Sequence, residues 1–359
     1  MIDNVRNLQA VDLSLKPALN LFHGDNGAGK TSLLEAVNLL ALGRSFRHHR
    51  ARPLIHTESQ QLTVFAEVGG SGSPTQKLGI SKNRQAETSI RIDGRPVYTA
   101  AELAQYLPIL NLNAQSFVLI EGPPKPRRQL LDWLTFHVEP LFLPAWRDLQ
   151  MCLKQRNSAL RHGKIRPAEL KAWDGQLSEL AEKIDRYRAR AYHQLQLCFA
   201  ALVEHVPELE NVRIEYKKGW TGDIAFAELL INQRQHDAER GFTQYGPHRA
   251  DLAIKAQGRP AAEVLSRGQS KIAIAALVLA LAAAFKALNG KPLVLLVDDL
   301  PSELDVEHRH QMGALLADSG AQLLVTGVEK APLEEMWPPG FANEAGRFHV
   351  KQGRVITDF

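Results

Sequence analysis

The chain has 359 residues, 45% hydrophobic and 23% charged, with a net charge of +4. That length suits about two domains, the composition excludes a disordered chain, and the modest basic excess admits a nucleic-acid partner without requiring one. Two cysteines, Cys152 and Cys198, are too few for a disulfide scaffold or a cysteine zinc site and fit a reducing, cytoplasmic setting.

The opening "MIDNVRNLQA" has no apolar core of the kind a secretion signal needs. Alternation in "AVDLSL" and "LTVFAEV" predicts strands, and "SIRIDGRPV" predicts a hairpin turning at Asp93-Gly94. Residues 30–42 carry apolar positions at helical spacing and stop at Gly43. From about residue 123 the texture turns helical. "PPKPRRQLLDWLTF" enters on prolines, which suit a helix start, "WRDLQMCLKQRNSALRH" follows, and 168–206 reads as one helix of about 55 Å if continuous. "VRIEY" and the hairpin-like "DLAIKAQGRPA" return to strand. They precede a helix over 268–289, a strand "PLVLLVDD", a helix over 305–317 and a strand "AQLLVTG". The longest apolar run, 272–285, is shorter than the roughly 20 residues a bilayer demands and reads as a buried helix. This is an α/β unit interrupted by a helical block, with no internal repeat and none of the extended heptads of a long coiled coil.

The chemistry starts at "GDNGAGKT", residues 24–31, which satisfies G-x-x-x-x-G-K-[ST] through Gly24, Gly29, Lys30 and Thr31. It follows the apolar "LNLFH" and opens a helix, the context that motif requires. Glycines let successive backbone N–H groups converge on phosphate oxygens, and the helix N-terminus adds partial positive charge. Lys30 is expected to neutralise the β and γ phosphates and Thr31 to reach Mg²⁺. A second part is "LVLLVDD", an apolar strand ending in acids. Alone it reads equally as a core strand running into a solvated turn. Beside a phosphate loop, Asp298 is the candidate Mg²⁺ ligand with Thr31, and Asp299 the candidate that orients or activates water.

"LSRGQSK" places Ser266, Arg267, Gly268 and Gln269 at the start of the long helix, 236 positions after Lys30. One reading is a helix N-cap. The other is a second anion site. One nucleotide does not need two such sites, but two protomers packed head-to-tail about a two-fold would use both, with each ATP between Lys30 of one chain and Ser266 of the other.

In order, the phosphate loop, "LSRGQ", "LLVDD" and "SELD" (302–305) resemble the heads of ABC-type ATPases. The closer similarity is to the RecF recombination-mediator family, through "RNL" (6–8), "GRSFR" (43–47), "PKPRRQLLDW", "FHVEP", "KQRNSALR", "GPHRADL" and "LVDDLPSELD". These cover nearly the whole chain. The resemblance implies an α/β ABC-type, SMC-like P-loop ATPase head with an inserted helical arm lobe, divided as head 1–122, arm 123–243 and head 244–359. It implies an ATP- and DNA-binding protein of bacterial gap repair, replication restart and the SOS response. Such a protein acts with RecO and RecR to help load recombinase at single-strand/double-strand junctions.

Carried over, the phosphate loop spans Gly24, Asp25, Asn26, Gly27, Ala28, Gly29, Lys30, Thr31 and Ser32, with Asn26 to Ser32 on phosphate. Ser302 and Asp305 belong to a loop that crosses the dimer. Gln115 lies near the position of a metal- and water-sensing glutamine, with a plain surface glutamine as the equal alternative, and Thr326 stands where transporter heads keep a histidine. Asp299 stands where many heads have glutamate, which together with Thr326 implies slow hydrolysis suited to a switch. Family members usually carry about one further strand-length before "RNL", so the resemblance implies a misassigned or truncated start, which bears on the sheet edge and any nucleotide contact upstream of Arg6-Asn7 and not on the phosphate site. The role of "GPHR" (246–249), Arg249 included, is open.

For DNA the candidates are Arg44, Arg47, Arg50 and Arg52 in "GRSFRHHRAR", and Lys125, Arg127, Arg128, Lys154, Arg156, Arg161, Lys164 and Arg166 in the arm. They would meet phosphates without reading sequence, or form an ordinary solvated face. Two other functions compete. A transporter's ATP-binding subunit is disfavoured by the long spacing from Lys30 to Ser266, the basic arm and the absent histidine, and no membrane partner is expected. A metabolic P-loop NTPase leaves "LSRGQ" and "SELD" without a use.

Overall fold

In the computed structural model, which describes residues 1–47, 52–69, 74–162, 167–222, 224–291, 293–299 and 305–358, the chain opens with β1 (Ile2–Val5), β2 (Leu8–Val11) and β3 (Leu19–His23). The strand expected over 10–15 ends at Val11. Beyond it the backbone N–H and C=O of Lys16 are bonded by the Asn20 side chain at 2.7 and 2.8 Å, and Pro17 has no N–H to offer a ladder. Helix α1 (Lys30–Leu42) ends at a left-handed Gly43, as its sequence predicts. Strands β4 (Gln61–Val68), β5 (Gln76–Asn83), β6 (Thr88–Ile92) and β7 (Arg95–Val97) follow. The β6–β7 turn falls at Asp93-Gly94, both with positive φ (51° and 79°), the requirement of a two-residue hairpin loop. Next come α2 (Ala100–Tyr106) and β8 (Ile109–Leu112).

The helical stretch holds α3 (Val118–Glu121), α4 (Pro124–Val138), α5 (Phe142–His162) and α6 (Pro167–Val203), the last a single helix of 37 residues. After it come β9 (Val212–Lys217), α7 (Phe226–Arg240), β10 (Asp251–Ala256), β11 (Arg259–Pro260), α8 (Ala261–Val264) and α9 (Arg267–Asn289). The chain closes with β12 (Val294–Val297), α10 (Val306–Asp318), β13 (Gln322–Gly327), α11 (Lys330–Glu335), β14 (Gly346–Lys351) and β15 (Arg354–Thr357). The sequence pattern gives no warning of β5, α2, α7 or the β14–β15 hairpin.

Compactness divides the chain into residues 1–116 with 291–359, and 117–290. The three-part division expected from motif order cuts it elsewhere, since 244–290 groups with the helical block. The first unit has two six-stranded sheets. One, β2-β1-β4-β5-β6-β7, is antiparallel; the other runs β15-β14-β3-β13-β12-β8 and is parallel except for β15. Helix α1 packs between them: Leu33, Leu34, Leu39 and Leu40 share a core with Val5, Leu62 and Ile80 of one sheet and Phe22, Leu296 and Leu324 of the other. A helix apolar on all sides belongs inside, so α1 is gripped from both faces and its N-terminus is held fixed.

In the second unit β9 and β10 pair through six residues, with β11 at the edge. Helix α9 is long and apolar enough to cross a membrane, yet 14 of its residues are buried in this unit. A cluster of Phe142, Leu149, Leu153, Leu177, Ile184, Phe226 and Leu230 joins α5, α6 and α7. Buried charges here are paired, as burial demands. Arg156 meets Asp174 at 2.9 Å and Asp237 at 2.8 Å, and Arg188 meets Asp132 at 2.7 Å.

Candidate nucleotide site

The loop between β3 and α1 is tied down from behind. A Cβ on Gly24 would lie 2.1 Å from the carbonyl oxygen of Val350, and its φ is +150°, so only glycine fits there. The Asn7 amide donates to the carbonyls of Gly27 and Ala28, each at 3.1 Å, and its Oδ1 accepts from the Ser32 hydroxyl at 3.0 Å. The N–H of Gly353, in the β14–β15 turn, donates to Ala28 O at 2.8 Å. With the Ala28 carbonyl held on that side, the planar trans peptide turns the N–H of Gly29 the opposite way. Asp25, Asn26 and Gly27 remain exposed at the tip, while Ala28, Gly29 and Lys30 are buried. Asn7 and Gly353 hold this loop and are residues that sequence reasoning missed. The "RNL" stretch containing Asn7 was visible as a family feature, but its contact with a loop 20 residues on was not.

Lys30 Nζ donates to the carbonyls of Gly24 at 2.6 Å and Asp25 at 3.0 Å. Burial lowers its pKa, and the negative charges of Asp299, Asp298 and Asp25 oppose that. At the end of β12, Asp298 Oδ1 accepts from the hydroxyls of Thr31 at 3.1 Å and Thr326 at 2.8 Å. Burial raises the Asp298 pKa. The two hydroxyls and the charge of Arg47 pull it down again, and Asp299 pushes it up. Asp299 follows with φ +54°, a left-handed conformation costing about 1–2 kcal/mol in a residue with a Cβ. Its backbone N–H donates to Thr326 Oγ1 at 2.9 Å. Thr326 is wholly buried, and its hydroxyl holds both acids.

One pocket collects Asn26, Gly27, Gly29, Lys30, Thr31, Ser32, Asp298, Asp299 and Arg47. A ring of backbone and ammonium donors faces a hydroxyl–carboxylate pair there. The donors suit phosphate oxygens. Thr31 and Asp298 offer the hard oxygens that a Mg²⁺ ion takes.

Arg47, a DNA candidate in the sequence, is exposed and also lines this pocket. Gln115 is exposed on the turn after β8, its N–H bonded to Asn113 Oδ1 at 2.9 Å. Strand β8 is the neighbour of β12, and Leu112 O accepts from the Asp298 N–H at 2.9 Å, so topology sets Gln115 just beyond the acidic strand's partner.

In the second unit Ser266 caps α9. Its Oγ accepts from Gln269 N at 3.2 Å, and Gln269 Oε1 accepts from Ser266 N at 3.0 Å, a complete capping box. Ser266, Arg267 and Gly268 are exposed. Asp305 caps α10 and accepts from His308 N at 3.0 Å. Ser302 lies outside the described residues.

Among the DNA candidates Arg44 is exposed, and Arg50, Lys164 and Arg166, with the neighbouring His48 and His49, lie outside the described residues. Three arm arginines are corrected to internal roles. Arg127 pairs with both oxygens of Asp251 at 2.9 and 3.0 Å and donates to the carbonyls of Leu119 and Gly122. Arg128 donates to Ala250 O at 2.7 Å and is partly desolvated, which lowers its pKa. Arg156 is wholly buried between Asp174, Asp237 and Thr243. Their partners Asp251, Ala250, Asp174 and Asp237 lie 18 to 124 residues away in sequence, so helical spacing alone presented them as a solvated basic face.

A phosphate loop opening a helix gripped between two sheets, with an acidic strand end beside it, defines a P-loop ATPase head of the ABC type. The family model for the RecF/RecN/SMC N-terminal domain matches residues 1–353. The chain is 45% identical over 351 residues to the DNA replication and repair protein RecF of Pseudomonas aeruginosa strain LESB58, covering 98% of this chain and 95% of that one. It is 44% identical over 355 residues to the same protein of Pseudomonas putida strain GB-1, covering 99% and 96%. It belongs to the RecF family of DNA replication and repair proteins. In fold it matches the recombination mediator protein RecF-ATP of the RecFOR pathway with a TM-score of 0.84 at 23% identity, over 100% of this chain and 96% of that one. It also matches an Smc head bound to the C-terminal winged-helix domain of ScpA with a TM-score of 0.59 at 14% identity, over 99% and 95%.

Proposed function

We propose that this chain is an ATP-switched DNA-binding recombination mediator. Each ATP is held by the phosphate loop and Lys30 of one copy and by Ser266, Gly268 and the N-terminus of α9 of a second, so that ATP closes a two-fold pair. The observation that carries this reading is the exposed first turn of α9. Its capping box is complete while Ser266, Arg267 and Gly268 face solvent, leaving an oriented helix N-terminus with no acidic residue in its own first turn. Mg²⁺ would be held by Thr31 and Asp298, where it would draw charge from the phosphates. Asp299, whose N–H is held by Thr326, would orient the attacking water, and its short side chain fits slow turnover. Gln115 would follow the state of that site from the neighbouring strand, and Asp305 with Ser302 would carry it across the pair. The closed pair would engage gapped DNA, and hydrolysis would release it. In the cytoplasm RecO and RecR would be its partners, as the RecFOR pathway named for the related structure suggests.

Sedimentation with and without ATP, and with gapped DNA, tests this. The wild-type chain should pair only with ATP. Lys30→Arg should fold and stay monomeric, and Ser266→Arg should bind ATP as a monomer yet neither pair nor turn it over. Normal pairing of Ser266→Arg would overturn the shared site.

A further inference from the structure

The loop that delivers Arg47 is held far more firmly than a surface loop needs. It leaves α1 at the left-handed cap Gly43, whose N–H donates to Leu39 O at 2.9 Å. Asn38, 1% exposed, donates to the Arg44 carbonyl at 2.6 Å and is itself held by Asn111 of β8 at 2.9 Å. One helical step earlier, at the i, i+3 spacing that shares a face, stands Glu35, with no exposed surface. Its carboxylate accepts from the Ser45 hydroxyl, and the Ser45 oxygen accepts from the backbone N–H of Arg47 at 2.9 Å. The same carboxylate accepts from Arg6 Nε and Nη2, at 2.8 and 3.0 Å. Arg6 precedes Asn7, whose amide holds the carbonyls of Gly27 and Ala28.

A buried carboxylate is costly unless its oxygens are satisfied. Glu35 offsets that cost with two partners, Arg6 and Ser45, each next to or near a residue that meets the pocket or its loop. A hydroxyl has a single proton, so Ser45 can serve both neighbours only by donating to Glu35 and accepting from Arg47.

We propose that Glu35 and Ser45 are positioning residues for the phosphate pocket. Through Ser45 they fix Arg47, which lines the pocket, and through Arg6 they fix the adjacent Asn7 clamp on the phosphate loop. The arrangement rests on the nucleotide reading given above, and it makes α1 the part that sets the distance between the phosphate loop and its one arginine among the pocket-lining residues.

The test compares Ser45→Ala, Ser45→Thr, Arg47→Ala and the double variant Ser45→Ala/Arg47→Ala in the full chain. Amide hydrogen exchange without nucleotide reads the placement directly. Ser45→Ala should speed exchange at Arg47 by about tenfold, the worth of one lost hydrogen bond, and Ser45→Thr should restore it. With ATP and DNA, Ser45→Ala should lower kcat by about three- to tenfold with little change in ATP affinity, and the double variant should match Arg47→Ala alone. Unchanged exchange at Arg47 would overturn the placement. Faster exchange with unaltered kcat, or effects that simply add in the double variant, would overturn the positioning role. A wild-type chain that turns over no ATP counts against the nucleotide reading instead, and the exchange arm still decides the placement.

Discussion

The hydroxyl of Thr326 donates to Oδ1 of Asp298 across 2.8 Å, and its own oxygen, Thr326 Oγ1, accepts from the backbone N–H of Asp299 at 2.9 Å. One side chain on β13 thus fixes the direction of the first acid and the left-handed backbone of the second. Thr326→Val keeps the shape and removes both bonds. The Asp299 N–H is then left without its acceptor in a half-buried position, which should lower stability by about 1–3 kcal/mol. With the acids no longer held, ATP turnover should fall by about 10- to 100-fold while ATP binding changes little. Single-turnover kinetics beside a thermal melt separate the two. Full turnover in Thr326→Val would remove this residue from the site.

Asn7 does for the phosphate loop what Thr326 does for the acids. Asn7→Ala releases the Gly27 and Ala28 carbonyls and the Ser32 hydroxyl. ATP affinity should then drop by about tenfold, one net hydrogen bond's worth of lost preorganisation. Asn7→Asp should cost more, because it turns a donor into an acceptor and places negative charge behind a loop built for anions. Titration with a fluorescent ATP analogue ranks the three chains, and equal affinities would show that Gly353 and the helix grip suffice.

The parts of the site that lie within a few residues of each other were legible in the sequence. The spacing of Gly24, Gly29, Lys30 and Thr31 is itself the chemistry, and "LVLLVDD" announces an acid at a strand end. Helix α1 stopped at Gly43 and the β6–β7 hairpin turned at Asp93-Gly94 because single residues there dictate the backbone. The pairings across the chain were not legible. Nothing near Asn7 says that it holds residues 27 and 28, nothing near Gly353 says that it meets Ala28, and Thr326 was visible only as a missing histidine. Charge misled most. Arg47 sits in a run of arginines that reads as a DNA face, yet only three-dimensional proximity to Asp298 and Lys30 reveals its pocket. Arg156 reads as surface until Asp237, 81 residues later, closes on it.

His248 gives the second unit a pH dependence. Burial drives its pKa from 6.5 down to about 4, aided by the positive charges of Arg249, Arg128 and Arg156 and opposed by its bond to the Thr243 carbonyl. Nε2 lies 3.1 Å from that carbonyl, while Nδ1 is buried with no hydrogen-bond partner among the described residues. Between these two values the unfolded chain binds a proton that the folded chain refuses, so stability rises with pH across the window. The contribution is complete above about pH 6.5 and is lost as pH falls through about 4, at most roughly 3 kcal/mol. Melting temperatures of the wild-type chain and His248→Gln from pH 7 to pH 4 should converge as the pH drops. Parallel curves would place the titration elsewhere.

Arg127 and Arg44 separate structural from phosphate-contacting arginines. The Arg127 guanidinium is bidentate on Asp251, and the two side chains are only 11% and 16% exposed. Arg127→Ala leaves that carboxylate half-buried and unpaired, which should cost about 2–3 kcal/mol of stability. At a temperature where the variant stays folded, its affinity for gapped DNA and the salt dependence of that affinity should match the wild type. Arg44 is exposed, so Arg44→Ala should leave the melt within about 0.5 kcal/mol of wild type. If Arg44 meets a phosphate, that variant should also lower the slope of log K against log salt by about one. Binding isotherms at several salt concentrations supply both slopes. A reduced slope in Arg127→Ala with its stability intact would reverse the assignment and return that arginine to the DNA surface.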